Sequence, residues 1–170
     1  MPRKPWQFCP LCGGRLINGT FEDTKYRMCR KKKSCGFVHW NNPLPVCITL
    51  IPTTDGGLIL IRRSVPPRAG KIALPGGFTK PFESLIDAAK REAKEETGID
   101  VEIERELHVL MPPGVNEHLH FFLAKPTSAK PVQGSDAAEA FVCSRDAIPE
   151  DIAFETHRFV INEWLRATAA

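Results

Sequence analysis

The pattern of apolar and polar positions divides most of the chain into short strands and two helices. Residues 46–51 form a continuous apolar run that predicts a buried strand, and Asp55-Gly56-Gly57 predicts a hairpin turn into a second strand at 58–62. Prolines and glycines separate the apolar runs further along, as expected of loops between strands. These runs predict more strands at 72–74, 101–104, 107–111, 118–124 and 140–144.

Two segments repeat their apolar positions with the period of an α-helix. The first is predicted to run from about Ser84 to Thr97, because Ser84 and Asp87 form a capping box and Gly98 favours the left-handed conformation that ends a helix. Its predicted apolar arc consists of Leu85, Ile86, Ala89 and Ala93. The second is predicted over 155–167, with an apolar stripe formed by Phe159, Val160, Trp164 and Leu165.

Strands and helices in this order predict an α/β protein, in which a mixed sheet lies between two helical layers as an α/β/α sandwich. About forty residues precede the first of these strands. Trp40-Asn41-Asn42-Pro43 has the composition of a linker, because Asn and Pro favour turns. We therefore predict two domains, a small one at 1–40 and the α/β domain at 41–170.

Three glutamates in the first predicted helix suggest divalent-metal chemistry. Glu92 and Glu96 are four residues apart and Glu95 lies beside both, so the three carboxylates share one arc of the helix. Like charges at this spacing destabilise a helix unless protons or cations compensate them. The spacing alone fits a solvated charged surface as well as it fits a Mg²⁺ or Mn²⁺ site, whose preferred ligands are oxygens.

The residues around these glutamates resemble the signature of the Nudix hydrolase superfamily. The segment from Gly77 to Ile99, GFTKPFESLIDAAKREAKEETGI, matches G-x5-E-x7-R-E-[apolar]-x-E-E-x-G-[apolar] at every specified position. The resemblance implies the Nudix α/β/α sandwich with a mixed sheet, and a Mg²⁺- or Mn²⁺-dependent hydrolase that cleaves a pyrophosphate bond.

The resemblance also implies roles for individual residues. The metal ligands that it implies are Gly77, through its carbonyl, and the carboxylates of Glu92, Glu95 and Glu96. Arg91, with Glu83, resembles the family's supporting pair, in which the arginine orients a catalytic glutamate. Glu139 matches the place of a further acidic residue beyond the signature and is a candidate metal ligand or general base, with Asp136 and Glu117 as alternatives. The catalytic residues implied are Glu92, Glu95, Arg91 and Glu139.

Four of the six cysteines lie before residue 36 in a pattern typical of zinc ligands. They are Cys9, Cys12, Cys29 and Cys35. Two thiolate turns around one structural Zn²⁺ form a zinc ribbon, and this arrangement is favoured over disulfides or unpaired thiols. The second pair is spaced C-x5-C, where C-x2-C is common, so either this turn carries an insertion or His39 replaces Cys29 as the fourth ligand. The insertion is preferred, because Cys35-Gly36 repeats Cys12-Gly13.

Composition indicates where in the cell the protein is located and which partners it binds. The net charge of +3 is mild, and the basic tip at 30–33 has no aromatic residues between its charges to stack bases, so nucleic acid is a less expected partner than a small nucleotide. The first residues contain no apolar signal region, and no apolar run approaches the ~18 residues of a membrane span. A cytoplasmic protein without a membrane partner is expected, and family analogy implies a homodimer.

A zinc ribbon ahead of a Nudix domain resembles the NADH pyrophosphatases and a related group that hydrolyses FAD or ADP-ribose. The NADH group carries SQPWPFPxS after the signature, and the corresponding stretch here, LHVLMPPGVNEHLHFFL, lacks it. HWNNPLPVCITLI, LPGGF and AFETH resemble the second group. This favours ADP-ribose or FAD, with AMP as a product, over NAD(H) or NAD-capped RNA. The competing interpretation is a non-catalytic Nudix protein that binds a nucleotide or RNA.

Overall fold

A computed structural model describes residues 6–31, 33–134 and 137–168. It separates into two compact units, one that ends at Pro43 and one that begins at Leu44. The first unit contains a three-stranded antiparallel sheet in the order β1-β2-β3. Its strands are β1 (Leu16–Phe21), β2 (Thr24–Cys29) and β3 (Val38–His39). Its buried core consists of Cys9, Leu16 and Cys29, with Cys35 and Phe37 packed against them. A core of this size is too small to stabilise a fold without a cross-link or a metal.

The second unit is built on one larger sheet. Its strands are β4 (Leu44–Pro52), β5 (Leu58–Arg63), β6 (Ile72–Ala73), β7 (Gly76–Phe78), β8 (Ile103–Leu110), β9 (Glu117–Ala124) and β10 (Ala137–Cys143). The main path is β10-β5-β4-β9-β8, while β6 pairs with β5 and β7 pairs with β4. β4 and β9 run parallel and the other pairs run antiparallel, so the sheet is mixed as predicted. The two short strands predicted at 101–104 and 107–111 are replaced by β8, whose pairing with β9 shifts register twice.

Helix α1 (Leu85–Thr97) begins and ends where the sequence predicts. The Ser84 hydroxyl accepts the Asp87 N–H, and Gly98 adopts φ 73°, which a left-handed cap requires. The apolar arc was wrong at one position. Ile86 is 47% exposed, and the buried apolar residues are Ala88, Ala89 and Ala93.

Helix α2 (Glu155–Ala167) also has the predicted bounds. Val160 and Trp164 are buried as expected, but Phe159 is 46% exposed and lies edge-on to the His108 ring. The buried stripe continues instead through His157 and Ile161.

The two helices cover opposite faces of the sheet, which confirms the α/β/α sandwich. Ile48 and Leu50 of β4 pack in one cluster with Val160 and Ile161 of α2. Residues alternating with them, Cys47 and Ile51, pack in clusters that contain alanines of α1. Neither helix in the described part of the chain is long and apolar enough to span a membrane.

Candidate functional site

The glycine turn before α1 lies against β4 and α1 too closely for side chains. A Cβ on Gly76 would collide with the Cys47 carbonyl oxygen and would lie 2.7 Å from the Ile48 Cα. A Cβ on Gly77 would lie 2.6 Å from the carboxyl carbon of Glu92. Gly76 therefore needs glycine, because a Cβ would meet backbone, whereas the lack of a Cβ at Gly77 leaves room for the flexible end of the Glu92 side chain.

The Gly76 N–H is the hydrogen-bond donor that holds Glu96. Glu96 is 6% exposed, and its Oε2 accepts this N–H at 2.8 Å. A buried carboxylate needs such donors, because desolvation destabilises its charge. The turn thus sets the position of one glutamate by a backbone hydrogen bond and leaves room for another, Glu92.

Arg91 connects three further carboxylates on the same side of α1. Its guanidinium contacts Glu83 at 2.6 and 2.8 Å, Glu92 at 2.6 Å and Glu95 at 2.9 Å. Its Nη2 also donates to the Phe78 carbonyl at 3.0 Å. These hydrogen bonds lower the pKa of Glu83 to about 2, and contact with Glu83 raises the pKa of Arg91. Arg91 is therefore a structural centre of the cluster.

The pKa values of Glu92 and Glu95 are shifted by different surroundings. Burial raises the pKa of Glu92, whose side chain is 14% exposed. Burial has the same tendency at Glu95, but hydrogen bonds from Lys80 and Arg91 outweigh it and hold the pKa of Glu95 below its usual range. Two neighbouring carboxylates thus have pKa values shifted in opposite directions, an arrangement common at catalytic sites.

Lys80 is a site residue that the sequence reasoning missed. Its Nζ lies 3.1 Å from Glu95, and its N–H donates to Glu83 at 2.8 Å. The only signal in the sequence was a lysine within the five positions between Gly77 and Glu83. No local sequence rule predicts that this lysine contacts Glu95 in the third turn of the helix.

The donor set fits a hard divalent cation. Three carboxylates, those of Glu83, Glu92 and Glu95, contact the cationic side chains of Lys80 and Arg91. A fourth carboxylate, that of Glu96, is held by the Gly76 N–H, so negative charge exceeds positive charge. Oxygen-rich, net-negative sites of this kind suit Mg²⁺ or Mn²⁺. Lys80 and Arg91 partly offset the repulsion between the carboxylates.

Glu139 lies on β10 and is paired away from α1. Its carboxylate contacts Arg62 of β5 at 3.3 Å, and its side chain is 54% exposed. Of the two alternatives, Glu117 is the first residue of β9, whereas Asp136 lies outside the described residues, as does Lys32 of the basic tip.

Buried His157 is connected to the glycine turn from the opposite face of the sheet. Its Nδ1 accepts the Leu74 N–H at 3.2 Å, and the next carbonyl, that of Pro75, accepts the Thr49 N–H at 2.9 Å. Burial, together with the charge of Arg63, lowers the pKa of His157 to about 3, so the ring is neutral. The backbone that leads into Gly76 is therefore held by α2 and by β4.

The four amino-terminal cysteines come together in the first unit. Their sulfur atoms all lie within 4.8 Å of one another, with Cys9–Cys35 and Cys12–Cys29 both at 3.6 Å. Tetrahedral zinc with Zn–S bonds of about 2.3 Å requires sulfur separations of about 3.8 Å, which these distances approach. Hydrogen bonding from the Gly14 backbone lowers the pKa of Cys12 to about 7, which favours a thiolate.

The spacing of the second thiolate pair is accommodated by its turn. Gly36 follows Cys35 with φ 65°, as Gly13 follows Cys12 with φ 67°, so both turns have a left-handed glycine directly after their second cysteine. His39 lies instead on β3, with its ring 4.8 Å from that of Trp6. The structure therefore groups Cys29, rather than His39, with the other three cysteines.

Comparison with known proteins agrees with this geometry. The curated relatives include an ADP-ribose pyrophosphatase from Methanocaldococcus jannaschii, 31% identical over 125 residues that make up 71% of this chain and 73% of the relative. An NAD-capped RNA hydrolase from Schizosaccharomyces pombe is 35% identical over 107 residues, which are 57% of this chain and 28% of that protein. The chain thus spans about a quarter of the second relative.

Solved structures share the architecture. A NUDIX hydrolase from Nitrosomonas europaea superposes with a TM-score of 0.87 and 28% identity, covering 96% of this chain and 93% of that one. The sequence profile of the NUDIX domain matches residues 43–165, which contain the whole larger sheet, α1 and all but the last two residues of α2. The chain belongs to the NUDIX domain family and is a Nudix hydrolase.

Proposed function

We propose that this protein hydrolyses the pyrophosphate bond of a nucleoside diphosphate linked to a second moiety, with ADP-ribose or FAD as the favoured substrate. One observation carries the proposal. The carboxylates of Glu92, Glu95 and Glu96 lie on one side of α1. The Glu92 carboxylate fills the space that a Gly77 Cβ would occupy, the Glu96 carboxylate accepts the Gly76 N–H, and the Glu95 carboxylate shares Arg91 with Glu92. Such a site suits divalent cations that bind a diphosphate group.

We assign the metal-binding role to these three glutamates and to the Gly77 carbonyl. Bound Mg²⁺ or Mn²⁺ would neutralise diphosphate oxygens and make a water molecule more acidic. Arg91 holds Glu92 and Glu95 in place through its guanidinium, and contact with Glu83 holds Arg91. A glutamate then accepts a proton from water, whose oxygen attacks one phosphorus as the bridging P–O bond breaks. With ADP-ribose and one water, the products are AMP and ribose 5-phosphate.

Two residues, Glu92 and Glu139, are candidates for the general base. Glu92 is favoured, because burial raises the pKa of its carboxyl towards the range useful for accepting a proton. Glu139 remains a candidate base or metal ligand, but its carboxylate must first leave Arg62.

The substrate preference rests on similarity. The relative named as an ADP-ribose pyrophosphatase aligns over 71% of this chain, which supports ADP-ribose, while FAD rests on the sequence resemblance alone. Relatives named as NAD-capped RNA hydrolases align over 56% and 57% of this chain, which supports NAD(H) or NAD-capped RNA as the second candidate.

The test is a substrate panel followed by two variants. Purified protein with Mg²⁺ is incubated with ADP-ribose, FAD, NADH, NAD-capped RNA and diadenosine polyphosphates, and AMP release is measured. We expect AMP from ADP-ribose or FAD at the highest kcat/KM. Glu95→Gln and Glu96→Gln should each lose at least about 100-fold in kcat while staying folded, since each removes a charge from a repelling cluster.

Glu102→Gln is the matched control, because Glu102 is exposed and pairs with Lys125, which is not part of the carboxylate cluster. It should retain wild-type kcat. If wild type binds a nucleotide but releases no AMP from any compound, the protein is a binding module and the proposal fails. Equal turnover in wild type and Glu96→Gln would refute the assigned ligands.

We also propose that Cys9, Cys12, Cys29 and Cys35 bind one structural Zn²⁺. The proposal is supported by the sulfur distances and by the small core of the first unit.

A further inference from the structure

A histidine–glutamate pair lies on the same face of the sheet as α1. His120 of β9 contacts Glu106 of β8 through Nδ1 at 2.8 Å, and their side chains are 15% and 42% exposed. A carboxylate only accepts hydrogen bonds, so the His120 Nδ1–H donates to Glu106. In the neutral ring this leaves a lone pair on Nε2. Among the described residues, the structure gives Nε2 no hydrogen-bond partner.

Strand register places this pair beside the catalytic cluster. Cys47 of β4 is the register partner of Gly77 on one side and of His120 on the other. Two strand spacings therefore separate Gly77 from His120, a distance of about 10 Å between Cα atoms. Burial and the charges of Glu83 and Glu92 raise the pKa of Cys47 to about 11, and Glu106 adds to that effect. The carboxylates of α1 and the pair on β8 and β9 thus lie on either side of Cys47.

Helix α1 covers only part of this face. It packs chiefly over β4 and β7, and it reaches β9 at Phe122, which joins Ala88 and Ala89 in one buried cluster. His120 is two residues before Phe122 on that face and lies in the same register row as Cys47 and Gly77. A polar pair beside Cys47, whose other register partner is Gly77, is well placed to contact a substrate bound at the carboxylates.

We propose that His120 is a substrate-binding residue whose Nε2 accepts a hydrogen bond from a ribose hydroxyl of the nucleotide, and that Glu106 positions its ring. Glu106 fixes the tautomer by accepting from Nδ1, as a carboxylate commonly does for a functional histidine. This inference rests on the proposed function and deepens it, because it selects substrates that carry a ribose next to the diphosphate.

The test compares His120→Gln, His120→Phe and Glu106→Ala with wild type in steady-state ADP-ribose hydrolysis. Removing one hydrogen-bond partner should raise KM by about 5- to 100-fold in His120→Phe while kcat falls less than about threefold. His120→Gln keeps a hydrogen-bond acceptor near the position of Nε2. Its increase in log KM should therefore be at most half of the increase in His120→Phe. Glu106→Ala should raise KM by a smaller factor, and Glu106→Gln, which can still accept from Nδ1, should restore it.

His108→Phe is the control, because His108 lies edge-on to Phe159 of α2 and so faces the opposite side of the sheet. It should leave KM unchanged. Calorimetric binding of α,β-methylene-ADP-ribose, which cannot be cleaved between its phosphorus atoms, supplies a readout independent of turnover. We expect a parallel loss of affinity in His120→Phe.

Two results would overturn the inference while leaving the proposed function intact. In the first, kcat falls in His120→Phe while KM and analogue affinity do not change, which would make His120 a general base. In the second, wild type is active and none of the variants differs from it, which would make the pair a cross-strand contact without a role. An inactive wild type that still binds the analogue would refute the proposed function, and the binding data would still test His120.

Discussion

The substitution His157→Asn tests whether a buried neutral histidine makes this fold sensitive to acid. His157 is 6% exposed and packs against the rings of Phe121 and Phe154, at 5.5 and 5.1 Å between centroids. Its Nδ1 accepts the Leu74 N–H, which a protonated ring could not do. Asparagine keeps a carbonyl oxygen near Nδ1 and does not titrate. The variant therefore removes the titration and part of the packing but retains an acceptor.

The magnitude follows from linkage between protonation and folding. An unfolded histidine has a pKa near 6.5, whereas burial and Arg63 lower the pKa of folded His157 to about 3. Between these values the unfolded chain binds a proton that the folded protein does not. The stability contributed by neutral His157 is therefore complete above pH 6.5 and is lost as pH falls towards 3. At pH 5 the loss is about 2 kcal/mol, and at pH 8 it is negligible.

Urea denaturation at pH 8, 6.5 and 5 measures this loss. Fluorescence reports on Trp164, which is 9% exposed in the same helix, and circular dichroism provides a second probe. At pH 8, we expect His157→Asn to be less stable than wild type by about 1–3 kcal/mol, because a smaller side chain leaves a cavity. At pH 5 that difference should shrink by about 2 kcal/mol, since only wild type pays the protonation penalty.

Carboxylates titrate in both proteins, so their contribution cancels in the difference. Parallel stability curves from pH 8 to pH 5 would refute the reasoning, because they would show that His157 is protonated in the folded protein or does not titrate on unfolding. A difference that grows on acidification would have the wrong sign and would also refute it.

Three further predictions concern the site and the cysteine cluster. Gly77→Ala should lower kcat at least about tenfold, because its Cβ would displace the Glu92 carboxylate. The free energy of unfolding should change by less than about 1 kcal/mol, because that carboxylate is the flexible end of a side chain and not backbone. Activity assays measure the first effect and urea denaturation the second. In Arg91→Gln, the Glu83 carboxyl should titrate more than one pH unit above its wild-type pKa of about 2 by carbon-13 NMR, and an unchanged pKa would contradict the assigned contact. A chelator should abolish protection from amide hydrogen exchange in residues 6–43 but not in α1, and added Zn²⁺ should restore the protection of residues 6–43. If residues 6–43 stay protected after chelation, the structural zinc site is contradicted.

Features that depend on a few neighbouring residues were predictable from the sequence. The bounds of α1 follow from Ser84, Asp87 and Gly98, all within or adjoining the helix, and those of α2 follow from its apolar period. Capping and periodicity act over one or two turns, so they can be detected without tertiary information. The spacing of the glutamates places them on one side of α1 for the same reason.

The apolar arcs show where local reasoning fails. A helical wheel orders residues around the axis, but it does not say how wide a strip the sheet covers. Ile86 and Phe159 both adjoin the correct stripe and are nevertheless about half exposed, while His157 is buried because Leu74 supplies a partner for its ring nitrogen.

Residue types and spacings by themselves determined the family, the two helices and the acidic cluster of this protein. Only the tertiary structure decided which partners those acidic groups have: Lys80 for Glu95, the Gly76 N–H for Glu96 and Arg62 for Glu139. The physical reason is range. Helix formation and capping depend on contacts within about four residues, whereas these pairs join positions 15 to 77 residues apart through the register of the sheet.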